Sequence, residues 1–232
     1  MTTPGFLPPP TGPRTASREG EGRGRKDLER ALAEKTALLH EIDHRVKNNL
    51  QLVSSLLLLQ ARHAADPVVR QALRAAQARI NAVAIVHRRL FQGEDPERFD
   101  VAAFLRDMVE DVIGGSGRTD IRVTLDLERT DLPTAQAAPL ALLISELLGN
   151  AILHGFPDGR EGAITVTAAR EGDQLRIEIA DNGVGVPTTG STPGIGQTIV
   201  KHLCSQLRAD CQVADAGPGV RATIRLPLDG VH

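Results

Sequence analysis

Residues 41–60 read Glu41-Ile42-Asp43-His44-Arg45-Val46-Lys47-Asn48-Asn49-Leu50-Gln51-Leu52-Val53-Ser54-Ser55-Leu56-Leu57-Leu58-Leu59-Gln60, with neither Pro nor Gly. Apolar residues recur at Leu39, Ile42, Val46, Val53 and Leu56, with Asn49 in the remaining slot. That spacing predicts an amphipathic helix that packs against other helices. His44, Lys47 and Asn48 stand at i, i+3 and i+4, which are neighbours on a helix surface. A single histidine on a helix is most often solvated or merely packed, so this cluster gains meaning only from its surroundings.

Outward from that stretch, the helical pattern runs from Asp27 to about Arg62. Asp66-Pro67 then supplies an N-cap followed by Pro at the first helical position, a restart signal. The second helix repeats at Val69, Leu73, Ala76, Ile80, Val83, His87 and Leu90, alternating spacings that make a coiled-coil-like seam. His87 is read as a packed polar residue of that seam. Two antiparallel helices cannot enclose a core alone, so the hairpin 27–92 predicts a homodimer closed as a four-helix bundle. Residues 1–26 hold Pro4, Pro8, Pro9, Pro10 and Pro13, then a Gly/Arg/Glu mixture, and are expected to be a disordered, solvated tail.

Gly93–Arg98 reads as a linker, and a second domain is expected over 97–232. Asp100 caps a helix to about Ile113, and Ile121–Leu127 alternates with period two as a strand. Pro139 to about Leu153 is a largely apolar helix; 163–169 and 174–180 form a hairpin about Glu171-Gly172-Asp173. Residues 196–207 are helical, and strands at 211–214 and 219–226 close the chain. The expected fold is a helical hairpin followed by an α/β sandwich, with helices on one side of a mixed, mainly antiparallel sheet.

Composition removes several functions. A net charge of −2, no Trp, no Tyr and five Phe leave neither a polyanion-binding surface nor a base-stacking platform, so no nucleic acid is expected. Cys204 and Cys211 have no metal-ligand spacing and are expected to be small apolar residues of a reduced, cytoplasmic core. No apolar run has the length of a transmembrane helix, and the N-terminus lacks a signal-peptide layout. A soluble protein without its own membrane sensor is therefore expected.

Three motifs follow in the second domain. Glu146 and Asn150, in Glu146-Leu147-Leu148-Gly149-Asn150 with His154 beyond, are i and i+4 on the apolar helix. There an amide oxygen can hold a hard cation and a carboxylate can orient water. Asp181-Asn182-Gly183-Val184-Gly185 follows a strand, where a buried Asp can accept from an exocyclic amine and glycines admit a ligand close to backbone. Gly194-Ile195-Gly196 opens a helix, where free N–H groups and the dipole favour phosphate. Each alone is common; a polar helical pair, an ordinary turn or a flexible helix start gives the same residues.

In this order and spacing, over about Thr134 to Leu228, the three resemble the N and glycine boxes of the Bergerat-type ATP-binding domain. That fold is shared by histidine kinases, certain chaperones, type II topoisomerases and mismatch-repair ATPases. The run His44-Arg45-Val46-Lys47-Asn48-Asn49-Leu50-Gln51 resembles the phosphoacceptor box of sensor histidine kinases, in the subgroup where Arg follows the histidine. The resemblance implies ATP and Mg2+ as cofactors, with Asn150 ligating the metal, Glu146 supporting it and Asp181 reading the adenine amine. It assigns His154, Gly183, Gly185, Gly194, Ile195 and Gly196 to the nucleotide pocket, with a short lid at Pro187–Pro193. Leu153 departs from the pattern, standing where many relatives carry Lys.

The resemblance further implies autophosphorylation of His44 and transfer to an aspartate of a response-regulator receiver domain. Glu41, one turn before His44, is the candidate carboxylate to orient it, Lys47 would offset phosphoryl charge, and Asn48 would hold a water. No sensor domain is evident, so input is expected from a separate sensory protein, the tail or a small ligand. A phosphotransfer protein with a degenerate second domain, an anti-sigma-type serine kinase and a pure scaffold are the competing readings.

Overall fold

The computed structural model describes residues 15–92, 95, 97–185 and 195–228; residues 1–14 of the expected tail, and the Pro187–Pro193 lid with Gly194, lie outside them. The chain divides into two units, 1–45 and 46–232. The first unit contains the beginning of helix α1 (Thr15–His63), which starts within the segment expected to be disordered. Once a helix is nucleated, each further residue adds a hydrogen bond, so α1 extends through the poor formers Gly20, Gly22 and Gly24.

In the second unit, α1 ends at His63 and α2 (Pro67–Gln92) begins at the expected Asp66-Pro67 restart. Asp66 Oδ1 accepts from Val68 N at 2.7 Å, and Arg70 donates to the carbonyl of Ala64 from Nη2 at 2.9 Å. One end of each helix is thereby satisfied at the turn. Ser54 Oγ donates to Asn81 Oδ1 at 2.9 Å, a contact between the two helices across the hairpin.

The sequence reading left both apolar faces of this hairpin without a partner in the chain, and the structure corrects that for α2. Ala82, Ile85 and Val86 are buried in the same core as the main sheet described below. They lie on a stripe distinct from the seam through Ile80 and Val83, so α2 has two usable faces. Arg89 fastens the far end of this stripe, donating to Asp107 and to Ala103 O of the next helix. That hydrogen bond from Arg89 to Asp107 is also the main cause of the raised Arg89 pKa.

Beyond α2 come β1 (Arg98–Asp100), α3 (Val101–Ser116), β2 (Ile121–Leu127), β3 (Asp131–Pro133) and α4 (Ala137–Asn150). Then follow β4 (Gly162–Glu171), β5 (Gln174–Asp181), α5 (Ile195–Leu207), β6 (Asp210–Asp215) and β7 (Val220–Pro227). The Asp100 cap is present: its Oδ1 accepts from Ala102 N at 2.8 Å and Ala103 N at 3.2 Å. The main sheet has order β2-β4-β5-β7-β6, with β2 parallel to β4 and the other pairs antiparallel. A second ribbon pairs β1 with β3, too short for a periodic signal in the sequence.

Helix α4 is apolar all round because it is enclosed: α2, α3 and α5 all pack on it. The longer helical run Thr134–Gly155 that contains α4 has the length and hydropathy to cross a membrane, but Leu140, Leu143, Ile144 and Leu148 are fully buried in the core. Each such side chain contributes about 1.5–3 kcal/mol. On β5 the period-two alternation turns Leu175, Ile177 and Ile179 inward and therefore also Asp181, the strand's last residue. The opposite face carries Arg176 and Arg221, both paired with Glu178.

Cys204 on α5 and Cys211 on β6 are joined in a disulfide, which overturns the reduced pair expected from their spacing. The helix ends at Leu207, Arg208 takes φ 52°, and Ala209 N donates back to Cys204 O at 2.9 Å, so the chain reverses and returns β6 alongside α5.

Candidate active site

Three segments meet at the C-terminal end of α4. The helix does not continue regularly to Leu153 as expected: after Asn150 it widens into a π turn over Ala151–Gly155. Such widening re-aims side chains and recurs at functional sites. Asn150, Leu153 and His154 are exposed there, whereas Glu146, one turn back, is only 9% exposed.

The π turn brings Gly155 against the end of β5. Val184 N donates to Gly155 O at 3.0 Å. A Cβ on Gly155 would lie 3.0 Å from Asp181 Oδ1, and one on Gly183 would lie 2.2 Å from Gly155 O. Backbone thus crosses backbone where any side chain would intrude. Asp181 is 6% exposed, and its Oδ1 accepts from Gly183 N at 2.8 Å and Val220 N at 3.3 Å. With Oδ1 fixed by two backbone donors, the carboxylate is oriented, and Oδ2 is an oxygen that could accept from a ligand donor.

The third segment is the start of α5, where a Cβ on Gly196 would lie 3.2 Å from Glu146 Oε2. The expected residues Glu146, Asn150, Asp181, Gly183 and Gly196 therefore belong to adjoining segments, and Ile195 opens α5. Gly185 takes φ +82°. These features fit a nucleotide: a glycine-lined crossing beside an oriented carboxylate, and a helix start with free N–H groups at the other side. Asn150 offers one amide oxygen for a metal that keeps most of its waters, as Mg2+ does. Among the described residues no cluster of three or more His, Cys, Asp or Glu could hold a metal without such help.

Residues missed by motif reading support the site. Gly219, at φ +90°, lets β7 start against Asp181: a Cβ there would lie 1.8 Å from Asp181 O. Asn182 is structural, its Oδ1 accepting from Ala163 N at 2.7 Å. Arg118 donates to Phe156 O and to Arg160 O, both at 2.9 Å, and so fixes the loop that follows His154. Its hydrogen bond to Asp120 holds the Asp120 carboxyl below the ordinary range. Arg79 of α2 binds both oxygens of Glu146, Nε to Oε1 at 2.6 Å and Nη2 to Oε2 at 3.1 Å.

On α1, His44 is exposed, as are Glu41 and Arg45. Glu41 Oε1 accepts from Arg45 Nη2 at 2.7 Å and Nε at 3.0 Å. The carboxylate expected to orient His44 is thus engaged by Arg45, because the i,i+4 acid–base pair is the favoured partner on a helix. No hydrogen bond joins Glu41 to His44 among the described residues. Lys47 and Asn48, in the second unit, are exposed.

Comparison with known proteins gives two family matches in tandem. The HisKA_2 model, described as histidine kinase, matches residues 41–115. The HATPase_c model, for histidine kinase-, DNA gyrase B- and HSP90-like ATPases, matches residues 135–230. Sensor histidine kinase PdtaS of Mycobacterium tuberculosis is 34% identical over 211 residues, covering 88% of this chain and 42% of the relative. Blue-light-activated histidine kinase 2 of Erythrobacter litoralis is 28% identical over 210 residues, covering 87% of this chain and 58% of the relative. The chain thus spans about half the length of these relatives. Among solved structures, the histidine kinase domain of Erythrobacter litoralis EL346 superposes with TM-score 0.61 at 28% identity, covering 84% of this chain and 93% of that one.

Proposed function

With a histidine kinase region and an ATPase region in tandem, the chain belongs to the histidine kinases, and on that premise we propose that it phosphorylates His44 from ATP and passes the phosphoryl group to a receiver-domain aspartate. The observation that carries this reading is the oriented Asp181 beside the glycine crossing, in one chain with the exposed His44. A neutral imidazole nitrogen of His44 attacks the γ-phosphorus, the bond to the β–γ bridging oxygen breaks, ADP leaves and the ring loses its proton. Mg2+ would be held by Asn150 and, when bound, would supply charge neutralisation for the triphosphate. Asp181 Oδ2 accepts from the adenine amine, the start of α5 faces the phosphates, and Glu146 orients groups at the reacting end. Lys47 offsets phosphoryl charge near His44, and Asn48 holds a water. Glu41 can serve His44 only after release from Arg45. Use of ATP places the reaction in the cytoplasm, and the input comes from a separate sensory protein or from sequence outside the matched regions.

The test is chemical. A phosphohistidine is acid-labile and base-stable, whereas a phosphoserine survives acid. His40 lies four residues before His44 in the sequence and is the control: with γ-labelled ATP, wild type and His40→Gln are expected to take up acid-labile label, and His44→Gln none. Label retained in His44→Gln, or label stable to acid, overturns the assignment.

The homodimer of the hairpin is part of the same reading. Leu52, Val53, Leu56 and Leu59 of α1 are 42–60% exposed, too large an apolar stripe to leave in water. Leu56→Asp would bury a charge in the interface and is expected to weaken the dimer at least about a hundredfold in sedimentation. An unchanged dimer would place the interface elsewhere.

A further inference from the structure

Arg79 carries no motif, yet its guanidinium binds both carboxylate oxygens of Glu146. Its position follows from the α4-facing stripe of α2. Ala82, Ile85 and Val86 anchor that stripe in the core, and Arg79 is one turn before Ala82 on the same face. The small side chain of Ala82, 1% exposed, lets α2 approach α4 closely enough for the guanidinium to reach Glu146. The resulting pair is bidentate and shielded, with the Arg79 and Glu146 side chains 26% and 9% exposed. A planar fork on both oxygens fixes the plane of the carboxylate as well as its position, which a lysine cannot do.

The surroundings leave that task to Arg79. From α5, Glu146 meets Gly196, which has no side chain. From α3 the core around α4 receives Phe104, Leu105 and Met108, none of them titratable. On its own helix the neighbour one turn on is the uncharged Asn150, and His154 beyond it is exposed. Lys201 and His202 of α5 are also exposed. A carboxylate with so little access to water, lying between Arg79 and the first turn of α5, takes its orientation from the guanidinium.

We infer that Arg79 is a positioning residue of the kinase site: it holds Glu146 in the orientation that phosphoryl transfer uses, so that the hairpin helix α2 supplies part of the catalytic arrangement. The inference rests on the role of Glu146 in the proposed function. It also gives α2 a direct mechanical route to the site, since a shift of α2 along α4 by a fraction of a turn would break the fork without disturbing the nucleotide-binding carboxylate Asp181.

Autophosphorylation of the full chain tests this in wild type, Arg79→Met, Arg79→Lys, Glu146→Gln and the double variant Arg79→Met/Glu146→Gln. Arg79→Met is expected to lower kcat by about tenfold to a hundredfold, the cost of misplacing a catalytic group, and to leave the KM for ATP within about threefold. Arg79→Lys keeps the charge but loses the fork and is expected to recover part of the rate. In the Glu146→Gln background, loss of Arg79 is expected to change kcat less than about twofold, because coupled residues are not additive. Thermal unfolding is followed for each. Should Arg79→Met alone fail to fold, with Glu146 buried and unpaired, the double variant and Arg79→Lys carry the comparison. An equal drop in both backgrounds, or a rise in KM with kcat intact, overturns the inference while Glu146 keeps its role. Glu146→Gln with wild-type activity overturns the role of Glu146, and the inference with it.

Discussion

Gly219→Ala is expected to weaken nucleotide binding severely and to lower the melting temperature of the ATPase region well below that of the wild type. The added Cβ would lie 1.8 Å from the carbonyl oxygen of Asp181 and 2.9 Å from the Asn182 Cα, both backbone atoms that cannot swing aside. The residue also takes φ +90°, which an L side chain rarely adopts. Forcing such a conformation costs about 1–3 kcal/mol and overpacking a similar amount, so about 4 kcal/mol in total is expected. That is most of the stability of a domain at the lower end of the usual range of about 5–15 kcal/mol. Relief would come by displacing β7 from β5, which removes the Val220 N–H from Asp181 Oδ1 and frees the carboxylate to rotate. Gly172→Ala is the control: its φ is +61° but a Cβ there meets nothing within 4 Å, so a cost of about 1 kcal/mol is expected. Far-UV circular dichroism melts and calorimetric ATP titration check both. Equal melting temperatures for the two variants would refute the account of Gly219.

What the sequence disclosed, and what it did not, divides along physical lines. The Asp66-Pro67 restart, the Asp100 cap and the Asp181 strand end were legible because each depends on neighbours in the chain. The alternation in β5 was sufficient to aim Asp181 inward. Gly155 and Gly219 were passed over because Gly155 falls between the motifs and Gly219 reads only as the first residue of the strand 219–226. Their function appears only where distant backbone crosses them. Arg79 was invisible for a related reason: one arginine on a helix reads as solvated until α4 is known to lie across it. The α4-facing stripe of α2 was hidden by the seam beside it, since Ala82 and Val83 are adjacent in sequence and both apolar. Cys204 and Cys211 sit in different elements, and only the reversal at Arg208 joins them. Glu41 had the correct spacing for His44, and Arg45 had the better spacing for Glu41.

The α2 stripe changes where the ATPase region can be cut. The linker at 93–96 invites a fragment 97–232, which the sequence alone would expect to fold and bind ATP without the hairpin. In the structure that cut removes Ala82, Ile85 and Val86 from a core shared with α3 and α4. Uncovering Ile85 and Val86 forfeits about 3–6 kcal/mol at about 1.5–3 kcal/mol for each side chain. The cut also strips Arg79 from Glu146 and Arg89 from Asp107. Removing one partner of a buried pair costs about 3–5 kcal/mol, and Glu146 is the more buried of the two carboxylates. The HisKA_2 match likewise runs through 93–96 without a break, from residue 41 to residue 115. Residues 67–232 are therefore expected to unfold cooperatively and bind ATP, while 97–232 melts about 20 °C lower or without a cooperative transition. Charging the stripe should act in the same direction within the full chain: Ala82→Asp buries a second carboxylate against α4, where the guanidinium of Arg79 is already engaged by Glu146. Calorimetric melts of the two fragments at matched concentration decide it. If 97–232 melts within a few degrees of 67–232, α2 is a passenger on the domain, and the coupling of α2 to Glu146 loses its structural basis.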